Sequence, residues 1–204
     1  MTTRLILWRH GQTDYNAHAR VQGRVDIPLN AIGREQARSA ASGLAALEPV
    51  RIVSSPLSRA QETARTLADL AGIDIELDEG LLERSFGRWE GLSRVEMESQ
   101  WPEAYAAWKR GEDPADVGVE TRQAVSLRVG GTLERILEET PRADGDQTVV
   151  VVSHGSALTL GITHLLGLDP SAWFGLRGLD NCRHGVVVPG ERVPGWTLAE
   201  WNVQ

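Results

Sequence analysis

Two segments of the 204-residue chain end in the same way. Residues 5–11 read LILWRHG and residues 149–155 read VVVVSHG, so each runs an apolar strand into a polar residue, a histidine and a glycine. Taken singly, His10 or His154 reads as an ordinary strand-end residue whose nitrogens are hydrogen-bonded. The pair says more. Ligands in open α/β sheets bind beyond the carboxyl ends of the strands, so two His-Gly steps there point to one pocket. Residues 54–64, SSPLSRAQETA, lead a strand through a turn into a helix and place Arg59 in its first turn, where free backbone N–H groups also favour an anion. Residues 81–91, LLERSFGRWEG, supply Glu83 just before a glycine-interrupted segment. With Arg9, the set is two imidazoles, two guanidiniums and one carboxyl, all at element ends. Guanidiniums suit phosphate oxygens and a carboxyl can transfer protons, so the combination predicts a phosphate pocket with a proton donor.

The elements that must position these groups follow from the apolar period. Residues 4–8 and 51–54 read as strands and residues 31–47 and 57–71 as helices, with Asn30 capping the first helix and Gly72 closing the second. Residues 73–77 alternate like a further strand. Ser93-Arg94-Val95-Glu96 reads as a capping box that opens a helix to about residue 110, on which Trp101, Tyr105 and Trp108 form one packed stripe. A long helix is predicted over residues 121–139, a loop over 142–147 and a central strand over the β-branched run 148–152. A helix over 156–166 and two short strands over 185–188 and 196–201 complete the pattern. The class is α/β, a three-layer αβα arrangement with a mostly parallel central sheet, and residues 1–204 form one domain.

Composition narrows the function classes. With 41% hydrophobic and 24% charged residues the chain can bury a sizeable core, which excludes intrinsic disorder as its main state. The net charge of −7 offers no general basic surface for nucleic acid. Residues 61–204 carry a net charge of −11 against +4 for residues 1–60, and that acidic balance repels polyanions. No apolar run approaches the ~20 residues of a membrane span, and the start MTTRLILWRH is too short for a secretory signal. A cytoplasmic address is expected, with no membrane partner. Cys182 is the single cysteine, so it is read as a buried structural thiol. His18, His164 and His184 fall outside the set, and no carboxylate or histidine cluster has metal-ligand spacing, so no metal and no cofactor are expected.

The stretch LILWRHGQTDYNAHARVQGRVDIPLNAIGREQA, with its Arg-His-Gly-x-Thr core and with Asn16, Gly23, Leu29 and Gly33 at characteristic offsets, resembles the signature of the histidine phosphatase superfamily, the phosphoglycerate mutase-like fold. SSPLSRAQETA, LLERSFGRWEG and VVVSHG follow in the order that family has them. The resemblance covers about residues 4–190 and is weakest between 99 and 146. It implies that His10 is the nucleophile that becomes a phosphohistidine and that His154 is its pocket partner. Its other ring nitrogen needs an acceptor, which the sequence does not name. Arg9, Arg59 and His154, with Asn16 as a neutral donor, would bind the equatorial phosphoryl oxygens. Glu83 would protonate the departing alkoxide and then deprotonate water, which needs a carboxyl that is neutral when substrate binds. Gln22 and Gly155 would add contacts to phosphate, and Thr13 is balanced between a contact and a plain turn role.

Within the family, mutases carry an Arg-Arg-Ser-Tyr run between the glutamate and the second histidine, whereas here Trp108-Lys109-Arg110 leads straight into Gly111. Hydrolysis is therefore expected over isomerisation. RHGQTDYN with the downstream Gln-Gly and Asp is most similar to the glucosyl-3-phosphoglycerate phosphatase branch and its broad-specificity relatives. The resemblance implies a metal-independent phosphomonoesterase for small phosphorylated metabolites, sugar or glycerate phosphates. Three alternatives stay open at this point: a phosphoglycerate mutase, a hydrolase of the branch that acts on α-ribazole phosphate or protein phosphohistidine, and a catalytically inactive regulator that senses a phosphorylated ligand. Relatives are often dimers, and residues 185–188 or an apolar helix face offer a symmetric contact for a homodimer.

Overall fold

Alternation along the first strand decides the layering. In the computed structural model, which describes residues 2–141 and 144–204, β1 (Thr3–Arg9) points Leu5 and Leu7 to one face and Ile6 and Trp8 to the other, all of them buried. The chain continues through α1 (Asp14–Ala17), α2 (Ala31–Ala45), β2 (Arg51–Ser54), α3 (Ser58–Ala71), β3 (Ile75–Leu77), α4 (Arg94–Gln100), α5 (Pro102–Lys109), α6 (Arg122–Glu139), β4 (Gln147–Ser153), α7 (Gly155–Leu165), β5 (His184–Pro189) and β6 (Trp196–Val203). The strands form one sheet in the order β3-β2-β4-β1-β5-β6; the first four are mutually parallel, β5 runs antiparallel to β1, and β6 runs antiparallel to β5.

Each face of that sheet carries its own helices. Leu5, Leu7, Val53, Val149 and Val151 pack with Val129 and Leu133 of α6 and Leu158 and Ile162 of α7. Ile6, Trp8, Ile52, Val150 and Val152 pack with Ala37, Ala41 and Leu44 of α2 and Ala64 and Leu67 of α3. Four consecutive valines on β4 are wholly buried, the pattern of a central strand covered on both sides, and burial of each contributes about 1.5–3 kcal/mol. The expected three-layer αβα fold is thus present. A third cluster, with Phe86, Trp89, Met97 and Tyr105, lies against α4 and α5. Among the described residues no helix is long and apolar enough to cross a membrane.

Most predicted boundaries hold within a few residues. Asn30 caps α2 by accepting from the Gly33 N–H, Gly72 ends α3 in the left-handed region, and Ser93 with Glu96 forms the capping box of α4. Two expectations need correction, and one element is unforeseen. The helix predicted over 93–110 is two helices, broken at Trp101, because Pro102 at the start of α5 has no N–H to give and disfavours helical geometry in the residue before it. The tight four-residue α1 has no apolar period to announce it; Thr13 and Asn16 form its capping box. Residues 185–188 are interior, paired with β1 on one side and β6 on the other, so they cannot supply a symmetric strand contact. Of the loop predicted over 142–147, Arg142 and Ala143 lie outside the described residues, and Gln147 already belongs to β4.

Two glycines bring α2 against the end of β1. A Cβ on Gly11 would lie 2.4 Å from the Gly33 carbonyl oxygen, and one on Gly33 would lie 2.0 Å from the carbonyl oxygen of Gln12. Backbone meets backbone there, so neither clash can be relieved by turning a side chain. Gly33→Ala is expected to cost about 1–3 kcal/mol, read as a lower midpoint in urea unfolding, and to lower activity through His10. An unchanged midpoint would show that the two segments can part without penalty.

Candidate active site

Parallel pairing of β1 with β4 puts Arg9 opposite Ser153, and the His10 N–H donates to the Ser153 carbonyl at 3.0 Å. The next residues on each strand therefore emerge side by side, with the His10 and His154 ring centroids 5.1 Å apart. On the far side of β4, the Ser55 N–H donates to Val152, which brings the Ser55 hydroxyl 2.7 Å from His154 Nε2.

The hydrogen bonds fix how each ring presents itself. His10 Nδ1 lies 2.7 Å from the carbonyl oxygen of Gly11, and because a carbonyl only accepts, Nδ1 holds the proton and Nε2 keeps a lone pair. Ser55 Oγ accepts from the Leu57 N–H and gives its own proton to His154 Nε2, an assignment that leaves the hydrogen of the neutral ring on Nδ1. That Nδ1 is buried and unpartnered among the described residues. Burial holds both imidazoles well below the usual histidine range, and the charges of Arg59 and Arg9 push in the same direction. Both rings are therefore neutral near pH 7.

Neither arginine is paired with a carboxylate among the described residues, and Arg9 is half-buried. Arg59, wholly buried on α3, donates to the carbonyls of Gly23 and Val25, and Arg9 donates to that of Leu179. The Nε of each has no hydrogen-bond partner. Burial lowers both from the usual arginine range, and the nearby Glu83 carboxylate offsets part of that. The α3 N-terminus itself departs from expectation: its first N–H, from Ser58, is taken by Asp26 rather than left for a ligand.

Thr13 is a hub. Its hydroxyl lies 2.8 Å from Gln22 Oε1 and 3.1 Å from Asn16 Oδ1, and Asn16 Oδ1 also accepts from the Thr13 N–H and from Asn181 Nδ2. With both amide oxygens engaged, the amide NH2 groups of Asn16 and Gln22 are the ends left to donate. Glu83 is held by backbone alone. Its Oε1 accepts from the Arg84 and Ala157 N–H groups, each at 2.8 Å, and its Oε2 from Ser156 at 3.2 Å, so the carboxyl caps the start of α7 right after His154.

The structure brings Arg9, His10, Asn16, Gln22, Arg59 and Glu83 to one cavity of about 340 Å³, which Trp108 also lines. His154 adjoins it through His10, and Gly155 lines a neighbouring cavity of about 410 Å³ that shares Arg9, Glu83, Phe86, Trp108 and Ser156 with the first. A Cβ on Gly155 would come 3.5 Å from Arg9 Nε. Sequence reasoning missed Ser55 and Asn181; the first is recognisable as the residue that ends the strand into SSPLSRAQ, whereas nothing local marks the second. Asn181 Nδ2 and the Cys182 N–H both donate to the His10 carbonyl. Burial pushes the Cys182 thiol up to about 12, in keeping with a structural role. His164 pairs with Glu134 at the rim of α7, and exposed His18 bonds its own turn. Trp101, Tyr105 and Trp108 do pack as a stripe, around Trp89. Among the described residues no three His, Cys, Asp or Glu side chains are grouped to hold a metal ion.

Comparison with known proteins agrees with this geometry. The histidine phosphatase superfamily (branch 1) pattern matches residues 5–204. The chain belongs to that family. A glucosyl-3-phosphoglycerate phosphatase of Mycolicibacterium vanbaalenii is 36% identical, over 98% of this chain and 94% of the relative. Phosphoserine phosphatase 1 of Hydrogenobacter thermophilus is 33% identical, over 93% of this chain and 88% of its own length. The solved structure of a mycobacterial glucosyl-3-phosphoglycerate phosphatase in complex with VO3 superposes with a TM-score of 0.88 at 33% identity, covering 98% and 99% of the two chains. The histidine phosphatase match runs past residue 190, where the signature resemblance stops, to the end of β6.

The neutral histidines of this histidine phosphatase have a thermodynamic consequence. Their native pKa values are depressed below the unfolded value near 6.5, so the stability they allow is complete above pH 6.5 and is lost as pH falls through it, because the unfolded chain takes up protons that the native one refuses. In urea unfolding, the wild type is expected to lose about 2–3 kcal/mol more than His10→Asn/His154→Asn between pH 7.5 and 5.5. Equal losses would mean that the rings are charged in the folded site.

Proposed function

We propose that this protein is a metal-independent phosphomonoesterase of small phosphorylated metabolites, working in the cytoplasm as a homodimer. One observation carries the activity: Arg9 Nε, Arg59 Nε and His154 Nδ1 are buried beside His10 with no acceptor of their own. A tetrahedral phosphate ester supplies the oxygens these donors lack, and its negative charge offsets two buried guanidiniums.

In this reading His10 Nε2 attacks phosphorus as the ester P–O bond breaks. Asn16, Gln22, Arg9, Arg59 and His154 hold the equatorial oxygens, where the charge of the transition state spreads, and the Gly155 N–H adds a backbone donor. Glu83 gives its proton to the departing alkoxide. It then takes one from water, which attacks the phosphohistidine, breaks the P–N bond and frees phosphate. Neutral His10 is a competent nucleophile for this, since its lone pair is not consumed by a proton near pH 7. The family membership and the relatives named as phosphatases set hydrolysis above isomerisation, and the missing Arg-Arg-Ser-Tyr run agrees. An inactive regulator would not need His10, Glu83 and both arginines together. The substrates named for those relatives, glucosyl-3-phosphoglycerate and phosphoserine, are both phosphate esters of small carboxylated alcohols, and we take that class as the substrate here.

Phosphate release from p-nitrophenyl phosphate and a panel of sugar and glycerate phosphates, with chelator present, tests the activity. Wild type should turn over and His10→Ala should fall by at least about 10³-fold; isomerisation of 3-phosphoglycerate without phosphate release, or no turnover at all, would sink the reading. The cytoplasmic address is supported by a lone, buried thiol and by the intracellular nature of such substrates. Support for the dimer is the outer edge of β6, the longest strand, which ends the sheet. Light scattering at about twice 22.3 kDa and recovery in the soluble cell fraction check assembly and address; a monomer mass removes the dimer.

A further inference from the structure

Two arginines on the wall of the 410 Å³ cavity have no part in the phosphoryl chemistry. Arg84 follows Glu83 and is only 3% exposed; its Nε donates to the Glu120 carbonyl and its Nη2 to Asp113, both at 2.7 Å, and its Nη1 has no partner among the described residues. Arg122 opens α6. Its backbone N–H is shared between the two Asp113 oxygens, its Nε donates to the Pro170 carbonyl, and neither Nη atom is hydrogen-bonded among the described residues. Its guanidinium carbon lies 4.5 Å over the Phe174 ring. That ring sits on Gly111, at a φ of +87°, where a Cβ would come within 2.5 Å of it, so the stacking surface is built into the chain.

The local charge does not balance. Asp113 is the one carboxylate bonded to this pair, since Glu120 is engaged by Arg128 and Arg24 and Glu83 is turned onto the α7 N–H groups. Burial pushes both guanidiniums below the usual arginine range; Asp113 opposes this for each, and Arg122's own charge lowers Arg84 further. Uncompensated positive charge beside the proton donor, with free N–H groups in a fixed fork, matches a carboxylate.

We propose that Arg84 and Arg122 form a specificity subsite that reads a carboxylate on the alcohol half of the substrate, while Trp108 and Phe174 pack against the carbon skeleton that carries it. The inference rests on the phosphatase reading and deepens it. The cavity is of a size for a small organic group and opens beside Glu83, where the leaving oxygen must be protonated. The carboxylate is read by residues other than those that hold phosphate, so it selects the ester without adding to the hydrolytic machinery.

A matched pair of substrates tests this, because 3-phosphoglycerate and glycerol 3-phosphate differ only in a carboxylate against a hydroxymethyl group. Wild type should favour 3-phosphoglycerate in kcat/KM by at least about tenfold, and Arg122→Met should lower that ratio by about 10- to 100-fold, chiefly through KM, with Arg122→Lys restoring part of it. Equal losses on both substrates, or a wild type without the preference, overturn the subsite. Should Arg122→Met fail to fold, D-glycerate and glycerol are compared as inhibitors of wild-type p-nitrophenyl phosphate hydrolysis: glycerate should act at about tenfold lower concentration, and equal inhibition rejects the proposal. A wild type that hydrolyses no ester at all is a different result; it removes the phosphatase reading and the subsite with it.

Discussion

Two guanidinium groups buried without carboxylate partners are the constraint around which this molecule is arranged. Removing an ion from water costs several kcal/mol even after relaxation, and Arg9 and Arg59 are only partly compensated, by main-chain carbonyls and by nearby carboxylates, Glu83 foremost. The sheet, with its doubly covered β4 and its valine core, supplies the stability against which that cost is set. The same fields explain the histidines. An imidazole denied solvent beside two fixed cations stays neutral, as a nucleophile must. The pocket is therefore an electrostatic mould for an anion.

Main-chain atoms do most of the positioning. His10 is held by its peptide N–H on Ser153, by its ring on Gly11, and by its carbonyl on Asn181 and Cys182. Arg59 is aimed by two carbonyls of the 23–25 segment, and Glu83 by three N–H groups from two segments. Main-chain donors and acceptors cannot rotate away, so the site inherits the rigidity of the sheet and of the α7 N-terminus rather than of its own long side chains. The close approach of Gly11 and Gly33 belongs to this scheme, since it lets the loop after β1 lie flat on α2 while Thr13 orients Asn16 and Gln22.

The site was largely legible in the sequence because its groups sit at element ends, where apolar period and motif coincide. The strands that carry His10 and His154 announce themselves by unbroken β-branched and apolar runs, and their parallel pairing follows from the alternation of strand and helix. Ser55 and Asn181 were not legible as partners, because each bonds across more than 90 residues of sequence and its local context is only a turn. The break at Trp101 was misread because the capping box and aromatic stripe outweighed Pro102, whose effect on the preceding residue is local and decisive. Arg84 and Arg122 carry no signature at all; only the shared Asp113 and the Phe174 stack bring them together.

The two carboxyl oxygens of Glu83 are held unequally. Its Oε1 is engaged by two N–H groups at 2.8 Å, whereas Oε2 has one longer contact at 3.2 Å and is the freer of the two oxygens. In the proposed reaction, donation to an alkoxide needs the leaving oxygen within hydrogen-bond reach of Oε2. Ser156 and Glu83 line both cavities, and Arg84 lines the larger of the two. In the proposed reaction the acid and the phosphate donors are thus positioned by one helix terminus and one strand end, and the two arginine pairs would tell the substrate's two halves apart.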